Sequence, residues 1–167
     1  MSLVKPEQEI GRLLTQRKLT LSVAESCTGG LIAHRITNVP GSSNYFERGF
    51  VVYSNRAKTE LLGVESALIT ASGAVSEHVA RAMASGAKQS ARTSFGLAAT
   101  GIAGPISDES RKPVGLVYIA VCTPEGDVRV RKLNLKGTRL HIKKQSADAA
   151  LNLLLRTIRA RKRSDAQ

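Results

Sequence analysis

The sequence predicts an α/β fold, in which a sheet of mixed strand directions is covered by helices on both faces. Through residue 99, segments of helical periodicity alternate with short apolar runs, and two further apolar runs form a hairpin pattern before a last helix. The chain has 167 residues, of which 42% are hydrophobic and 23% are charged. This length and composition are those of one folded domain with a sizeable core, and they exclude disorder over most of the chain.

The first half of the chain alternates helices with strands. Apolar residues such as Ile10, Leu13 and Leu14 recur at helical spacing, whereas Leu21 and Val23 alternate with polar neighbours as in a strand. The predicted elements are a helix over 4–17, a strand over 19–24, a helix over 31–37, a loop over 39–43, a strand over 46–53, and a helix that Asn55 caps and Gly63 ends.

The second half begins with a helix that Ser76 caps and that runs to about Ala91. The elements that follow are a small-residue strand over 95–99, a loop over 106–113, a hairpin of strands over 115–122 and 128–135, and a last helix capped by Thr138. Ligands of such sheets bind where loops leave the carboxyl ends of strands. The loops at 25–30, 54–58 and 100–113 are therefore the candidate site.

The positive charge of the chain is concentrated near its end. The net charge is +12, and residues 129–163 hold 12 Lys or Arg against one acid, Asp148. Such a bias attracts anions, namely nucleic acid, a membrane surface or a phosphorylated small molecule, although a basic cluster at a helix end is also typical of a solvated surface. Because the six aromatic residues form no stacking platform, we do not expect nucleic acid as a partner.

Several classes of protein do not fit the pattern. The longest apolar run, 116–122, is too short to cross a bilayer, and the acidic N-terminal segment has no signal-peptide core, so we expect a cytoplasmic protein without membrane partners. The three histidines, at 34, 78 and 141, lack the spacing of metal ligands, and we expect no metal.

Ser26 is the first candidate site residue. It directly follows a strand and precedes Gly29, Gly30 and a helix, which places its hydroxyl beside the free N–H groups of a helix start. Such N–H groups bind phosphate or stabilise an oxyanion. On the local pattern alone, an N-cap serine with no catalytic role is the other interpretation.

Lys58 and the segment that starts at Thr100 are the next candidates. A lysine in the first turn of a helix faces the positive end of the helix dipole, which lowers its pKa, and if it is also desolvated it can act as a base. An exposed first-turn lysine is the alternative. The glycines Gly101 and Gly104 fit either a backbone that approaches a ligand closely or a tight turn.

The order of these motifs resembles that of the CinA C-terminal domain family, from about residue 5 to 158. Any one of these sequence blocks is weak evidence for the family, but the whole set in this order is specific to it. The blocks are AESCTGGL at 24–31, PGSS at 40–43, FERGF at 46–50, YSNRAK at 53–58, LLGV at 61–64, GAVS at 73–76, GIAGP at 101–105 and KPVG at 112–115.

The resemblance implies a three-layer α/β/α sandwich with a mixed, mostly parallel sheet in a single domain over residues 1–160. From their basic composition, residues 161–167 are expected to form a disordered tail. The resemblance also implies a serine amidohydrolase without a cofactor, which converts nicotinamide mononucleotide and water to nicotinate mononucleotide and ammonia in pyridine-nucleotide salvage. Ser26 would be its nucleophile, Lys58 the base and Tyr53 a support of this dyad. The substrate-binding residues that it implies are Gly29, Gly30, Ser43, Thr100, Gly101 and Arg139, of which Arg139 suits a phosphate. We expect a homo-oligomer that acts on a phosphorylated pyridine nucleotide.

Two departures from the family pattern affect the candidate site. The segment after Pro105 reads ISDES instead of a glycine-rich stretch, and Thr138 and Lys143 replace an acid and an arginine. A catalytically weak or inactive nucleotide-binding domain is therefore the first alternative. A basic nucleic-acid-binding accessory protein is the second, and it rests on the charge alone.

Overall fold

The sheet has five strands in the order β2-β1-β3-β4-β5. We describe a computed structural model, which covers residues 4–107 and 109–161. β1 pairs in parallel with β2 and β3, and β4 pairs antiparallel with β3 and β5, so β4 alone runs in the opposite direction. The strands are β1 (Leu21–Glu25), β2 (Phe46–Val51), β3 (Phe95–Gly101), β4 (Leu116–Cys122) and β5 (Val128–Asn134).

Helices cover both faces of this sheet, as the sequence predicts. The helices are α1 (Pro6–Arg17), α2 (Leu31–Thr37), α3 (Asn55–Leu62), α4 (Ser66–Ser72), α5 (Glu77–Ala91) and α6 (Arg139–Ala160). The first, second and sixth pack on one face, against side chains such as Val23 and Leu97. The other three pack on the opposite face, where Ala24 and Ala98 point. The three-layer α/β/α sandwich is confirmed.

Two local predictions about helices are wrong. Helix α4 was not predicted, because its N-cap is Glu65, a weak cap, and its seven residues carry only one buried apolar side chain, Ile69. Helix α3 is capped by Ser54 and not by Asn55, since the Ser54 hydroxyl accepts a hydrogen bond from the N–H of Ala57 at 3.0 Å. Ser76 and Thr138 cap their helices as predicted.

The end of the chain packs on the body of the domain as far as the structure describes it. The Arg161 guanidinium hydrogen-bonds Glu125 and lies 5.7 Å from the centre of the Phe95 ring. Arg161, the first residue of the predicted tail, therefore packs on the domain. The rest of the tail predicted for 161–167 lies outside the described residues. None of the helices within the described ranges is long and apolar enough to cross a membrane.

Candidate active site

A cleft opens at the carboxyl ends of β1, β2 and β3, where the sequence places the candidate loops. The chain leaves β1 at Ser26, whose N–H donates to the Ala99 carbonyl of β3 at 3.0 Å, while Val52 donates to the Glu25 carbonyl at 2.9 Å. These bonds hold the three strand ends together. The cleft has a volume of about 190 Å³, and its lining includes Ser26, Tyr53, Lys58, Thr100, Gly101 and Arg139.

Ser26 and Lys58 meet in this cleft. The Lys58 Nζ lies 3.2 Å from the Ser26 Oγ and donates to the Val52 carbonyl at 2.9 Å. Ser26 does not cap α2, because the N-cap of that helix is Gly30. The alternative interpretation of Ser26 as an N-cap is therefore wrong, and its hydroxyl is positioned next to an amine.

Lys58 is buried, not exposed. Only 2% of its surface is accessible, and no carboxylate among the described residues forms an ion pair with it. Burial lowers the pKa of Lys58, because desolvation disfavours the ammonium form, while the charge of Cys27 acts in the opposite direction. A buried amine without a counter-ion favours the neutral form, which can accept a proton.

The position of Lys58 depends on how closely α3 approaches α5. A Cβ atom on Gly86 would lie 2.1 Å from the Leu62 carbonyl oxygen, so only glycine allows this approach. Since Lys58 is the fourth residue of a helix of eight residues, the contact at Leu62 fixes where its side chain enters the cleft. Gly86 is thus a packing residue that serves the site.

The N–H groups at the start of α2 are already occupied. The Glu25 carboxylate is 1% exposed and accepts hydrogen bonds from the N–H groups of Gly30, Ile32 and Ala33 at 3.2, 3.1 and 2.8 Å. The expectation that this helix start offers free donors to a ligand is therefore wrong. A carboxylate of the chain itself fills the anion site that the end of a helix provides.

Two N–H groups in the same turn remain available. Those of Cys27 and Thr28 donate to no oxygen within the part of the chain that the structure describes, whereas the N–H of Gly29 donates to the Ser26 carbonyl at 3.1 Å. The N–H of the residue after a nucleophile is a common donor to an oxyanion. The unoccupied N–H donors of this turn thus lie at Cys27 and Thr28 and not at Gly29.

Cys27 also lines the cleft, next to Ser26. Burial raises the pKa of its thiol to about 12, and the charge of Glu25 adds to this effect. Because the thiolate is the reactive form of cysteine, Cys27 is a poor nucleophile in this environment. Of the two neighbouring side chains, the hydroxyl is the one that contacts the amine.

Tyr53 and Arg139 form the rim of the cleft. One Arg139 nitrogen, Nη2, donates to the Tyr53 hydroxyl at 2.8 Å, and Nη1 donates to the Gly104 carbonyl at 2.7 Å. Tyr53 is 61% exposed, and its hydrogen bond is to Arg139 and not to Ser26 or Lys58. The geometry links Tyr53 to the arginine at the entrance.

Thr100 and Gly101 form the cleft wall on β3. The Thr100 hydroxyl donates to the Ala74 carbonyl at 2.9 Å. A Cβ atom on Gly101 would lie 2.5 Å from the Val117 side chain, so this glycine is required by the approach of β4. Thr100 therefore fixes the segment around Ala74, which forms the opposite wall.

Ser43 does not join the cleft within this chain. It lies in a short 3-10 turn, Ser42–Asn44, that leads into the amino end of β2, where the Leu21 N–H donates to the Tyr45 carbonyl. The site lies at the other end of β1, roughly 15 Å away at ~3.3 Å per residue. Because the predicted loop at 39–43 precedes the strand at 46–53, the order of elements already places Ser43 at the amino end of that strand. Only the resemblance to the family implied a place in the site.

The sequence analysis missed Glu25, the donors at Cys27 and Thr28, and the place of Lys143. The Nζ of Lys143 lies 3.5 Å from where a Cβ atom on Gly29 would be, directly over the turn that carries Ser26. No local pattern indicated the role of Glu25, because its partners depend on where the side chain folds back in three dimensions. Within the described ranges, no three His, Cys, Asp or Glu side chains group as metal ligands would.

Comparison with known proteins identifies the family. Residues 4–158 match the model of the CinA C-terminal domain. The chain belongs to the CinA C-terminal domain family. A CinA-like protein of Syntrophus aciditrophicus is 48% identical over 155 residues. A protein of Moorella thermoacetica, provisionally named a competence-damage inducible protein, is 53% identical over 154 residues. Each alignment covers 92% of this chain.

Solved structures of CinA proteins have the same fold. The competence/damage inducible protein of Agrobacterium tumefaciens superposes with a TM-score of 0.84 at 39% identity, covering 95% of this chain and 99% of that protein. A competence damage-inducible protein of Klebsiella pneumoniae gives 0.90 at 27% identity, covering 94% and 97%. This CinA domain spans about 37% of the length of the curated relatives named above.

Proposed function

We propose that this CinA domain hydrolyses the carboxamide of nicotinamide mononucleotide, releasing ammonia and nicotinate mononucleotide. The observation that carries the proposal is the contact between the Ser26 hydroxyl and a buried lysine that has no counter-ion. An amide needs both an activated nucleophile and a stabilised oxyanion. The ordered motif set supports the choice of substrate.

In the first half-reaction, the neutral Lys58 amine accepts the Ser26 hydroxyl proton while Oγ bonds to the carboxamide carbon. The oxyanion that forms accepts hydrogen bonds from the N–H groups of Cys27 and Thr28. The Lys58 ammonium then donates its proton to the departing nitrogen, the C–N bond breaks and ammonia leaves. The product of these steps is an ester between Ser26 and the nicotinoyl group.

In the second half-reaction, a water molecule attacks the ester carbon and Lys58 accepts its proton. The C–O bond to Ser26 breaks, the proton returns from Lys58 to Oγ, and the carboxylic acid product loses its own proton to solvent and leaves as the carboxylate. The Val52 carbonyl holds the lysine nitrogen through both steps, since it accepts from Nζ at 2.9 Å. One amine thus acts in turn as base and acid.

A coupled ammonia assay tests the proposal. The substrates are nicotinamide mononucleotide, the unphosphorylated nicotinamide riboside, free nicotinamide and glutamine. We expect the unaltered protein to release ammonia from the mononucleotide. Ser26→Ala should abolish this release, while its far-ultraviolet circular dichroism spectrum stays unchanged. Binding of the mononucleotide with no ammonia after long incubation would instead support a catalytically inactive nucleotide-binding domain.

Arg139 is proposed to bind the substrate phosphate, because its planar guanidinium matches phosphate oxygens and lies at the cleft rim. An interaction that is equal in the ground and transition states changes KM and not kcat. Arg139→Ala should therefore mainly raise KM for the mononucleotide. Equal activity of the unaltered protein on free nicotinamide would contradict this role.

A further inference from the structure

Three cations, Arg139, Lys143 and Lys144, lie in the first two turns of α6, and none has an anionic partner among the described residues. Arg139 and Lys143 are the two that lie near the cleft and the Ser26 turn. The Arg139 guanidinium bonds two neutral oxygens, those of Tyr53 and Gly104. Lys143 has no hydrogen-bond or ion-pair partner within residues 4–107 and 109–161. Like charges four residues apart on a helix repel each other. This repulsion is relieved when an anion binds between them.

Lys143 points its charge at the site. Its Nζ lies over Gly29, within 3.5 Å of where a side-chain carbon would start, so the ammonium and the Ser26 turn are in near contact. The same charge reaches the Cys27 thiol, where it opposes the burial that raises that pKa. Lys143 therefore lies beside the nucleophile turn, on the helix that also presents Arg139.

The start of α2 does not offer its N–H groups to a phosphate. The N–H groups at the start of α2 are occupied by Glu25. The cleft of about 190 Å³ is smaller than the ~300–1,000 Å³ of pockets that enclose a whole drug-sized ligand. A pyridine ring that reaches Ser26 would fill it, and the ribose phosphate then lies outside, at the rim.

We propose that Lys143 and Arg139 together bind a phosphate monoester at this rim, and that Lys143 sets the preference for phosphorylated over unphosphorylated pyridine amides. The inference rests on the proposed function, since it assigns the charged end of that substrate. The two cations lie four residues apart, so they share one face of α6 and can contact the same phosphate. Lys143 acts as a point charge, while Arg139 supplies a directed fork.

The test compares Lys143→Met with Lys143→Arg and with Lys144→Met, the neighbouring exposed lysine. For the mononucleotide, Lys143→Met should lower kcat/KM by about 10- to 100-fold through KM, the range of a lost charged hydrogen bond. Its kcat/KM for the unphosphorylated riboside should stay within about twofold of the unaltered protein. Lys143→Arg should retain the preference, and Lys144→Met should change neither value.

Two results would overturn the inference about Lys143. One is an equal loss on both substrates, which would show a structural role. The other is a loss of the same size in Lys144→Met, which would show a general effect of net charge. Either result leaves the Ser26 and Lys58 chemistry untouched.

Failure of the proposed function gives a different pattern. If the unaltered protein releases no ammonia from any amide, calorimetric binding of nicotinamide mononucleotide still tests the phosphate site. The dissociation constant should then rise about 10- to 100-fold in Lys143→Met and stay unchanged in Lys144→Met. Absence of mononucleotide binding to the unaltered protein would reject the site.

Discussion

Two regions of this molecule enclose a basic side chain, one with acidic partners and one without. In the groove between α1, α2 and α6, Arg35 bonds Glu7 at 2.9 and 3.2 Å and also bonds Asp148. In the cleft, Lys58 is more deeply buried, and its hydrogen-bond partners among the described residues are only a hydroxyl and a carbonyl. A buried charge is costly unless it is paired. The paired arginine is therefore a structural residue, and the unpaired lysine is the one that we propose as the base.

The volumes of the two cavities would favour the groove at Arg35, and not the cleft at Lys58, as the active site. The groove at Arg35 measures about 680 Å³, and the cleft at Lys58 about 190 Å³. Size alone would place the active site in the groove. Compensation of charge is the better guide, because a group that must change its protonation state needs an environment in which neither state is strongly fixed.

Replacing Lys58 should give the largest effect. Lys58→Met keeps the length of the side chain and removes the base, so kcat/KM for ammonia release should fall by about 10²- to 10⁴-fold, the usual contribution of a general base. Lys88→Met is the matched control, because Lys88 also donates to two carbonyls, those of Thr123 and Pro124, far from the cleft. A loss of similar size in the control would contradict the assignment of the base.

Replacing Arg35 should affect stability instead of activity. Arg35→Met leaves the Glu7 carboxylate, whose side chain is 9% exposed, without its partner. The expected cost is about 2 kcal/mol in the free energy of unfolding, less than for a fully buried pair because Arg35 keeps some contact with water. Urea unfolding measures this cost, and kcat/KM per folded molecule should stay within about twofold.

The acid dependence of this cost has a definite sign. Burial works to raise the pKa of Glu7, but the hydrogen bonds and charge of Arg35 outweigh it and the pKa is lowered. A carboxylate with a lowered pKa contributes stability above its unfolded value near 4.5 and loses it as the pH falls through the folded value. The difference between Arg35→Met and the unaltered protein should therefore shrink in acid. A difference that grows in acid would contradict the ion pair.

Protonation of Lys58 should lower kcat/KM by about tenfold for each pH unit below the pKa of this lysine. Because burial lowers the pKa of Lys58 and catalysis needs its neutral form, kcat/KM should fall below that pKa and level off above it, with the limb below the ordinary value of 10.5. The riboside lacks a titrating phosphate and should show the same limb. If the limb appears only with the mononucleotide, it reports the phosphate and not the lysine.

The two regions also differ in how far the sequence predicts them. The strand that leads to Ser26, the helix that carries Lys58 and the hairpin of β4 and β5 follow from periodicity and caps, and the structure has them at nearly the predicted bounds. The occupation of the start of α2 by Glu25 does not follow, because it depends on where a side chain folds back in three dimensions. Ser43 is a different case, since its place before the strand at 46–53 already puts it at the amino end of that strand, and only the resemblance implied a role in the site.

Pairing was equally hidden from sequence. Arg35 lies 28 residues from Glu7 and 113 from Asp148, so no local rule connects them. From the sequence, Lys58 is a lysine in the first turn of a helix, and it could be either an exposed surface residue or a desolvated base. Its burial in the structure decides between the two. The difference between the paired Arg35 and the unpaired Lys58 is thus a property of tertiary packing.

Tyr53 offers the smallest and most discriminating effect. Tyr53→Phe removes the hydroxyl that accepts a hydrogen bond from Arg139 and leaves the ring in place. A neutral acceptor is worth about 0.5–1.5 kcal/mol, so KM for the mononucleotide should rise about 2- to 10-fold with kcat nearly constant. The riboside, which lacks the phosphate, should show no change.

The resemblance to the family gives a competing expectation, in which Tyr53 supports the dyad directly. In that case Tyr53→Phe would lower kcat on both substrates by more than about tenfold. The measured split between kcat and KM decides between the two roles. We expect the KM effect, because the tyrosine oxygen contacts the arginine at the rim and the dyad is held by the Val52 carbonyl and by burial.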